Sequence, residues 1–422
     1  MSQAMTLSTR DPLATQMNAA AESYVKLVLS VGEHDPDYVD AYFGPPAWRE
    51  EAKSAAASLD SIRSSAEQLL CDLESIQTER EEEIVQLRHR YLTRQLRSLL
   101  ARLEMLGGHT YSFDEEAQAL YDAMPPHHPE SFFREVLSRL DGMIPGMGTV
   151  AQRYDRYRQD FVIPVNRLDD VFQTAIRECR ERTRRTIDLP QTERFALEYV
   201  NNKPWSGYNW YKGGSYSLIQ INTDLPIYVD RAVDLAAHEG YPGHHVYNSL
   251  LEMHLARERG WVEFTVYALF SPQSLIAEGT ANFGIEVAFP GHQRIDFERD
   301  VLFPAAGMHG AEAEQYYSIN RLTGVLNYAH NEAARAYLDG TMNHQQAEEW
   351  LVTYALMSPE RAKQRVRFIG AYRSYVINYN LGQDLVRAYI ESRGGTSDNP
   401  SRRWDEFRQL ISSPRLPSGL RT

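Results

Sequence analysis

One amphipathic pattern constrains this chain more than any other feature. From Glu79 to Gly108 the sequence reads EREEEIVQLRHRYLTRQLRSLLARLEMLGG. Within it Ile84, Leu87, Tyr91, Leu92, Leu96, Leu99, Leu100, Leu103 and Leu106 recur at three- and four-residue spacing. On a helix, where each residue turns by about 100°, this spacing gathers the apolar side chains into one stripe that must be covered by other elements. A strand would scatter them over both faces. Gly107-Gly108 ends the run as a C-cap, and Leu70, Leu73 and Ile76 extend the same texture upstream.

The helical reading continues. Ser112 with Glu115 three residues on makes a capping box ahead of SFDEEAQALYDAM. PPHHPE, Pro125 to Glu130, breaks the chain, and its His127 and His128 read as solvated loop residues. A long charged helix is expected from Phe161 to about Thr186. The texture then changes: NWYKGGSYSLIQINTDLP, Asn209 to Pro226, alternates and is rich in β-branched and aromatic residues, so it reads as a strand. Thr223 or Asp224 is expected to cap the following helix, with Pro226 near its first turn. From Ser274 the chain reads helical to a Pro/Ser/Arg-rich tail expected to fray at its end. The fold class is mainly α, with a small strand segment beside one helix. Three regions follow: residues 1–165, 166–300 and 301–422, acting as one integrated unit.

A chain of 422 residues has ample core, and its net charge of −13 argues against nucleic acid or an anionic membrane as partner. Cys71 and Cys179 lie far apart with no C-x-x-C, and read as buried or unreactive thiols. The opening MSQAMTLSTRDPLATQ lacks the charged and apolar regions of a signal peptide, and no stretch reaches about 18 apolar residues, so a cytoplasmic protein is expected.

The chemistry is concentrated in AAHEGYPGHHVY, Ala236 to Tyr247. His238-Glu239 opens like the zinc-protease pattern H-E-x-x-H, in which two histidines one helical turn apart grip an ion and the glutamate serves as general base. Here Pro242 stands where the second histidine belongs, and His244 and His245 come two and three residues late. On a regular helix His244 would point about 120° away from His238. Pro242 cannot donate to the His238 carbonyl and Gly243 frees the backbone, so a kink or bulge absorbing two residues would return His244 to the ligand position. His245 remains the alternative. SLIAEGTANFGIE supplies Glu278 as third ligand, 34 residues after His244, with Glu286 in reserve. Asn282 and Asp234, each one turn from a ligand, are candidates to orient the histidines.

HEGYPGHH, AEGTANFGIE and RYLTRQLRSLLARLEMLGGHTYSFDEEAQALYD together resemble the bacterial family called domain of unknown function 885, over about residues 90–389. That family is similar to helical zinc peptidases of the gluzincin class, such as the carboxypeptidase Taq and oligopeptidase families. The resemblance implies a helical fold with a central cleft, one zinc ion on His238, His244 and Glu278, and Glu239 as catalytic base. Tyr379 matches the family's Tyr-x-x-Gly segment and is expected to stabilise the oxyanion. Tyr372, Tyr375 and Tyr379 are spaced to share a helix face, and Arg373 or Arg367 could clamp a substrate carboxylate. SYSLIQIN offers either an exposed edge for a peptide or an ordinary covered strand. His292, His309 and His330 read as structural or solvated.

The leading expectation is a zinc peptidase acting on short peptides. A non-haem iron enzyme uses the same two-His, one-carboxylate set, although Glu239 has no evident task in oxygen chemistry. A metal-bound helical binding protein without activity is the third class, kept open by Thr280 where the family often has Trp.

Overall fold

The computed structural model describes residues 12–421. Most of the signal-peptide expectation, which rests on the first residues, lies outside them. The described chain is mainly helical, with five short strands in two sheets. None of its helices is long and apolar enough to cross a membrane.

The stripe read from the sequence forms the helix Glu83–Leu106, with Tyr91, Leu92, Leu96, Leu99 and Leu103 buried. It packs on the helices Leu59–Glu74, Phe113–Tyr121 and Pro272–Ala288. One apolar cluster runs from Met17 to Leu420, and two smaller ones form around Phe133 and Leu351. The Ser112 capping box is present. His127 is exposed as expected, whereas His128 is half-buried, stacked 4.4 Å from the Phe132 ring. The tail is not frayed over its described part: Pro400–Ile411 is a helix, Leu420 is buried, and the Ser418 amide donates to Asp122 at 3.1 Å.

Three expectations about the middle of the chain need correction. The charged helix begins at Leu168, not Phe161. Pro164 has no amide to give and holds Ile163 extended, and residues 161–163 bond to the segment around Tyr228 instead, with Ile163 N donating to Ile227 O at 2.9 Å. The strand segment is a hairpin, β3 (Gly207–Tyr211) and β4 (Tyr216–Asn222), turning at Gly213 and Gly214, whose φ of +78° and +66° only glycine adopts easily. Strand β2 (Arg194–Val200) pairs parallel with β4 on its other side, giving the order β2-β4-β3. SYSLIQIN is therefore the central strand, and β3 is an edge. Finally, neither Thr223 nor Asp224 caps a helix. The Asp224 carboxylate accepts the amide of Asn202 at 2.8 Å, and the helix starts later, at Asp230.

The second sheet is small. Strand β1 (Val39–Tyr42) pairs antiparallel with β5 (Val266–Ala268), and the register slips between Val39 and Ala41. The extra residue is Asp40, and a bulge of this kind re-aims its side chain. Strand β5 leads directly into Pro272–Ala288, a helix buried along nearly its whole length. At Gly279 that helix meets Gly382 of Ile377–Ser392 so closely that a Cβ on Gly279 would lie 2.4 Å from the Gly382 backbone. Two glycines let these helices touch backbone to backbone, which seats the tyrosines of the C-terminal region above Glu278.

Candidate metal centre

The helix Asp230–Leu235 runs into a widened, π-helical turn, Ala236–Gly240. Hydrogen bonds spread from Tyr241 N to Ala236 O (3.0 Å) and from Gly243 N to Ala237 O (2.9 Å), five- and six-residue closures in place of four. Pro242, joined to Tyr241 by a cis peptide bond, occupies the place where an amide would be required. A new helix, His244–Leu251, starts at once. The two surplus residues are thus absorbed as the spacing demanded, although by a break as well as a bulge. Gly243 also matters for space: a Cβ there would lie 1.9 Å from the His238 carbonyl oxygen.

The result brings three expected ligands together. His238 Nε2 and His244 Nε2 are 3.1 Å apart, and Glu278 Oε2 lies 3.2 Å from the first and 3.7 Å from the second. Zinc with ligand atoms at about 2.0–2.1 Å in tetrahedral geometry has edges of about 3.3 Å, so these three atoms fit one face of its coordination sphere. Glu278 Oε2 is buried without a hydrogen-bond partner, an orphan acceptor pointing where an ion would sit. Asn282 Oδ1 lies 2.9 Å from His238 Nδ1, which sets the ring to present Nε2, and Asn282 Nδ2 is itself anchored on the Tyr379 carbonyl at 2.9 Å. Tyr375 donates to the other oxygen, Glu278 Oε1, at 2.8 Å.

Opposite charges meet in the site. Burial works to raise the Glu278 carboxyl, but His244 and His238 outweigh it and hold it well below the usual carboxylate range. Burial works against a charged His244, yet Glu278, Glu239 and Asp40 lift it to about 9. Burial pushes Glu239 up, opposed by the two histidines. The Glu239 carboxylate has no hydrogen-bond partner among the described residues, while its carbonyl accepts from Asn209 Nδ2 at 2.7 Å. Strand β3 lies so near that a Cβ on Gly207 would sit 2.9 Å from Glu239 Oε1.

Other expected residues fall elsewhere. His245 is fully buried behind the site, 2.8 Å from Ser217 Oγ and 3.1 Å from Glu193 Oε2, in a network with Tyr241 and Arg180. Glu286 pairs with Arg387 and Gln383. Asp234 pairs with Arg231 and Arg294 rather than with His238. Arg373 is tied to Glu116 at 2.6 Å, and Arg367 is exposed. The three tyrosines do not share one helix: the helix Pro359–Tyr372 ends at Arg373, where φ is +53° and Glu116 accepts from Ser374 N at 3.0 Å. Their rings still cluster, with Tyr375 and Tyr379 5.9 Å apart. The Tyr379 hydroxyl has no hydrogen-bond partner among the described residues, and burial followed by the Glu278 and Glu239 charges keeps it protonated. His292 pairs at the surface with Asp296 and Glu314, His309 caps its own turn, and His330 is half-buried. Cys71 and Cys179 are both free; Cys179 is buried with its thiol pushed up by desolvation, whereas Cys71 is exposed.

Of two further neighbours, Asp40 escaped the sequence, and Tyr375 was legible there without its bond to Glu278. Asp40, raised to about 6 chiefly by burial, carries a charge felt by His244, and it accepts a hydrogen bond from Tyr208 of β3. A single acid in a short strand gives no motif, and only the bulge turns it inward. From the sequence Tyr375 is only a member of a face shared with Tyr372 and the expected donor Tyr379, and the helix break at Arg373 separates Tyr372 from the other two.

No family model and no curated protein matches the chain. The fold resembles the crystal structure of the putative lipoprotein from Colwellia psychrerythraea, with a TM-score of 0.53 and 13% identity over 86% of this chain. The chain spans 62% of the length of that protein, and the likeness shows a shared fold alone.

Proposed function

We propose that this protein is a zinc-dependent peptidase acting on short peptides, as its resemblance to domain of unknown function 885 implied. One observation carries the reading: the two Nε2 atoms and Glu278 Oε2 converge at 3.1–3.7 Å, with the buried Glu239 carboxylate, unpartnered among the described residues, beside them.

A zinc ion held by His238, His244 and Glu278 would supply Lewis acidity and a water acidic enough to be deprotonated near neutral pH. Glu239, next in sequence to His238 and with its carboxylate unbonded among the described residues, takes the proton of the attacking water and returns it to the leaving amine. The Tyr379 hydroxyl, protonated and unpartnered, donates to the oxyanion. Tyr375 and Asn282 bond to a carboxylate oxygen and a ring nitrogen and so hold two ligands in place. Strand β3, an edge strand against the Glu239 turn, can take an extended peptide by main-chain hydrogen bonds.

The test is digestion of a peptide library by wild type and Glu239→Gln, with metal content measured on the same samples. Both proteins should hold about one zinc per chain, and the variant should lose at least about 100-fold in turnover. Equal turnover in the two, or iron in place of zinc, would sink the reading.

A further inference from the structure

Three arginines, Arg231, Arg361 and Arg365, lie near one another, Arg231 close enough to Glu239 to act on its charge, and two of the three already have partners. Arg231 Nη1 donates to Asp234 Oδ2 at 3.0 Å, and Arg361 Nη2 donates to the Pro226 carbonyl at 2.7 Å. Arg365, one turn beyond Arg361, makes no hydrogen bond or ion pair with any described residue. Its guanidinium lies 5.2 Å from the centroid of the Phe368 ring. A guanidinium carries five donors, and those of the half-buried Arg365 reach solvent with no anion among the described residues to meet them.

The surroundings sharpen this. Burial and the positive Arg231 both work against the charge on Arg365, and the neighbouring Tyr379 would favour it only as a phenolate, whereas it is held protonated. His330 offers no anion: burial and the nearby Arg365 push it down to about 3, so it is neutral. The location is close to the chemistry. The Phe368 ring is 6.3 Å from that of Tyr379 and 6.4 Å from that of Tyr375, whose hydroxyl bonds Glu278. Arg365 therefore stands two aromatic rings, Phe368 and Tyr375, from Glu278, and beside the candidate oxyanion donor Tyr379.

We propose that Arg365 binds a carboxylate of the peptide substrate while the scissile carbonyl sits at the His238–His244–Glu278 centre. This rests on the peptidase reading. The planar fork of arginine matches a carboxylate in a two-point pairing, which fixes the peptide's direction as well as its affinity. Two sources share this chemistry: the free C-terminal carboxylate, and an acidic side chain.

The experiment measures fluorescence anisotropy of three N-terminally labelled hexapeptides on zinc-loaded Glu239→Gln protein. One ends in alanine as the free acid, one in alanine amide, and one in glutamate amide. The free acid or the glutamate amide should bind at least about tenfold tighter than the alanine amide, and which of them does so names the source. Adding Arg365→Gln should bring all three within about twofold, with zinc content and the circular dichroism spectrum unchanged. Arg365→Lys, which keeps the charge and loses the fork, should retain part of the preference, and it carries the test if the glutamine variant does not fold. Preference that survives Arg365→Gln, or no discrimination by the starting protein, overturns the proposal. If Arg365 governs carboxylate binding but wild type cleaves none of the peptides, the anion site stands and the peptidase reading falls.

Discussion

The Tyr375 hydroxyl donates a 2.8 Å hydrogen bond to Glu278 Oε1, leaving Oε2 to face His238 and His244. The two oxygens of one carboxylate are thereby divided between a fixed anchor and the ion site. Tyr375→Phe should leave the helix packing intact, since the ring sits among Phe368, Tyr372 and Tyr379. Zinc affinity, read by competition with a chelator, should fall by about 10- to 100-fold. An unchanged affinity would show that Glu278 needs no anchor.

Zinc binding should tighten with pH. In the metal-free protein His244 is lifted from 6.5 to about 9 by Glu278, Glu239 and Asp40 against the effect of burial. A raised histidine stabilises the fold fully below 6.5 and loses that contribution as pH rises through about 9. The ion takes the position of that proton, so apparent affinity should rise towards about tenfold per pH unit across the same window. Melting temperatures of zinc-loaded and chelated protein should therefore diverge as pH rises from 6.5 to 9. Converging curves would contradict the shared site.

Gly243→Ala addresses the broken turn directly. A methyl 1.9 Å from the His238 carbonyl oxygen cannot be accommodated without moving the ligand-bearing backbone. We expect zinc binding to be lost and stability to fall by about 3 kcal/mol or more, measured by chemical denaturation. An alanine variant that binds zinc normally would mean that the turn is far more pliable than its close contacts allow.

Behind the ligands, Glu193 is fully buried against His245, Tyr241 and Arg180. Burial works to raise its carboxyl, and these partners more than reverse that, holding it down to about 2. A depressed carboxylate stabilises the fold above its ordinary 4.5 and loses that contribution as pH falls through about 2. The contribution is about 2 kcal/mol after discounting for solvent on the Arg180 side. Glu193→Gln should flatten the dependence of denaturant midpoint on pH below 4.5 while leaving zinc content near that of wild type.

Helices were legible where their pattern was self-sufficient. The stripe from Ile84 to Leu106 and the Ser112–Glu115 box depend on residues at most a few turns apart, and both appear as read. Misreadings came where a distant partner decided the local structure. Residues 161–163 pair with the segment at Tyr228, and Asp224 is claimed by the amides of Asn202 and Lys203. Propensity cannot anticipate such competition, because the rival hydrogen bond comes from tens of residues away.

For the site, the chain alone fixed the chemical inventory: a His-Glu pair, a proline-glycine interruption, two late histidines and a downstream glutamate. It also fixed that a regular helix was impossible at Pro242, since that residue has no amide to give. Only the folded molecule separates His244 from His245, because adjacent residues on the new helix point in different directions, one to Glu278 and the other to Glu193 and Ser217. Likewise, only packing could place Asp40 and Tyr375 beside His244 and Glu278 and leave Arg365 without a partner among the described residues. Sequence spacing describes one element at a time, and a metal centre with its neighbours is assembled where several elements meet.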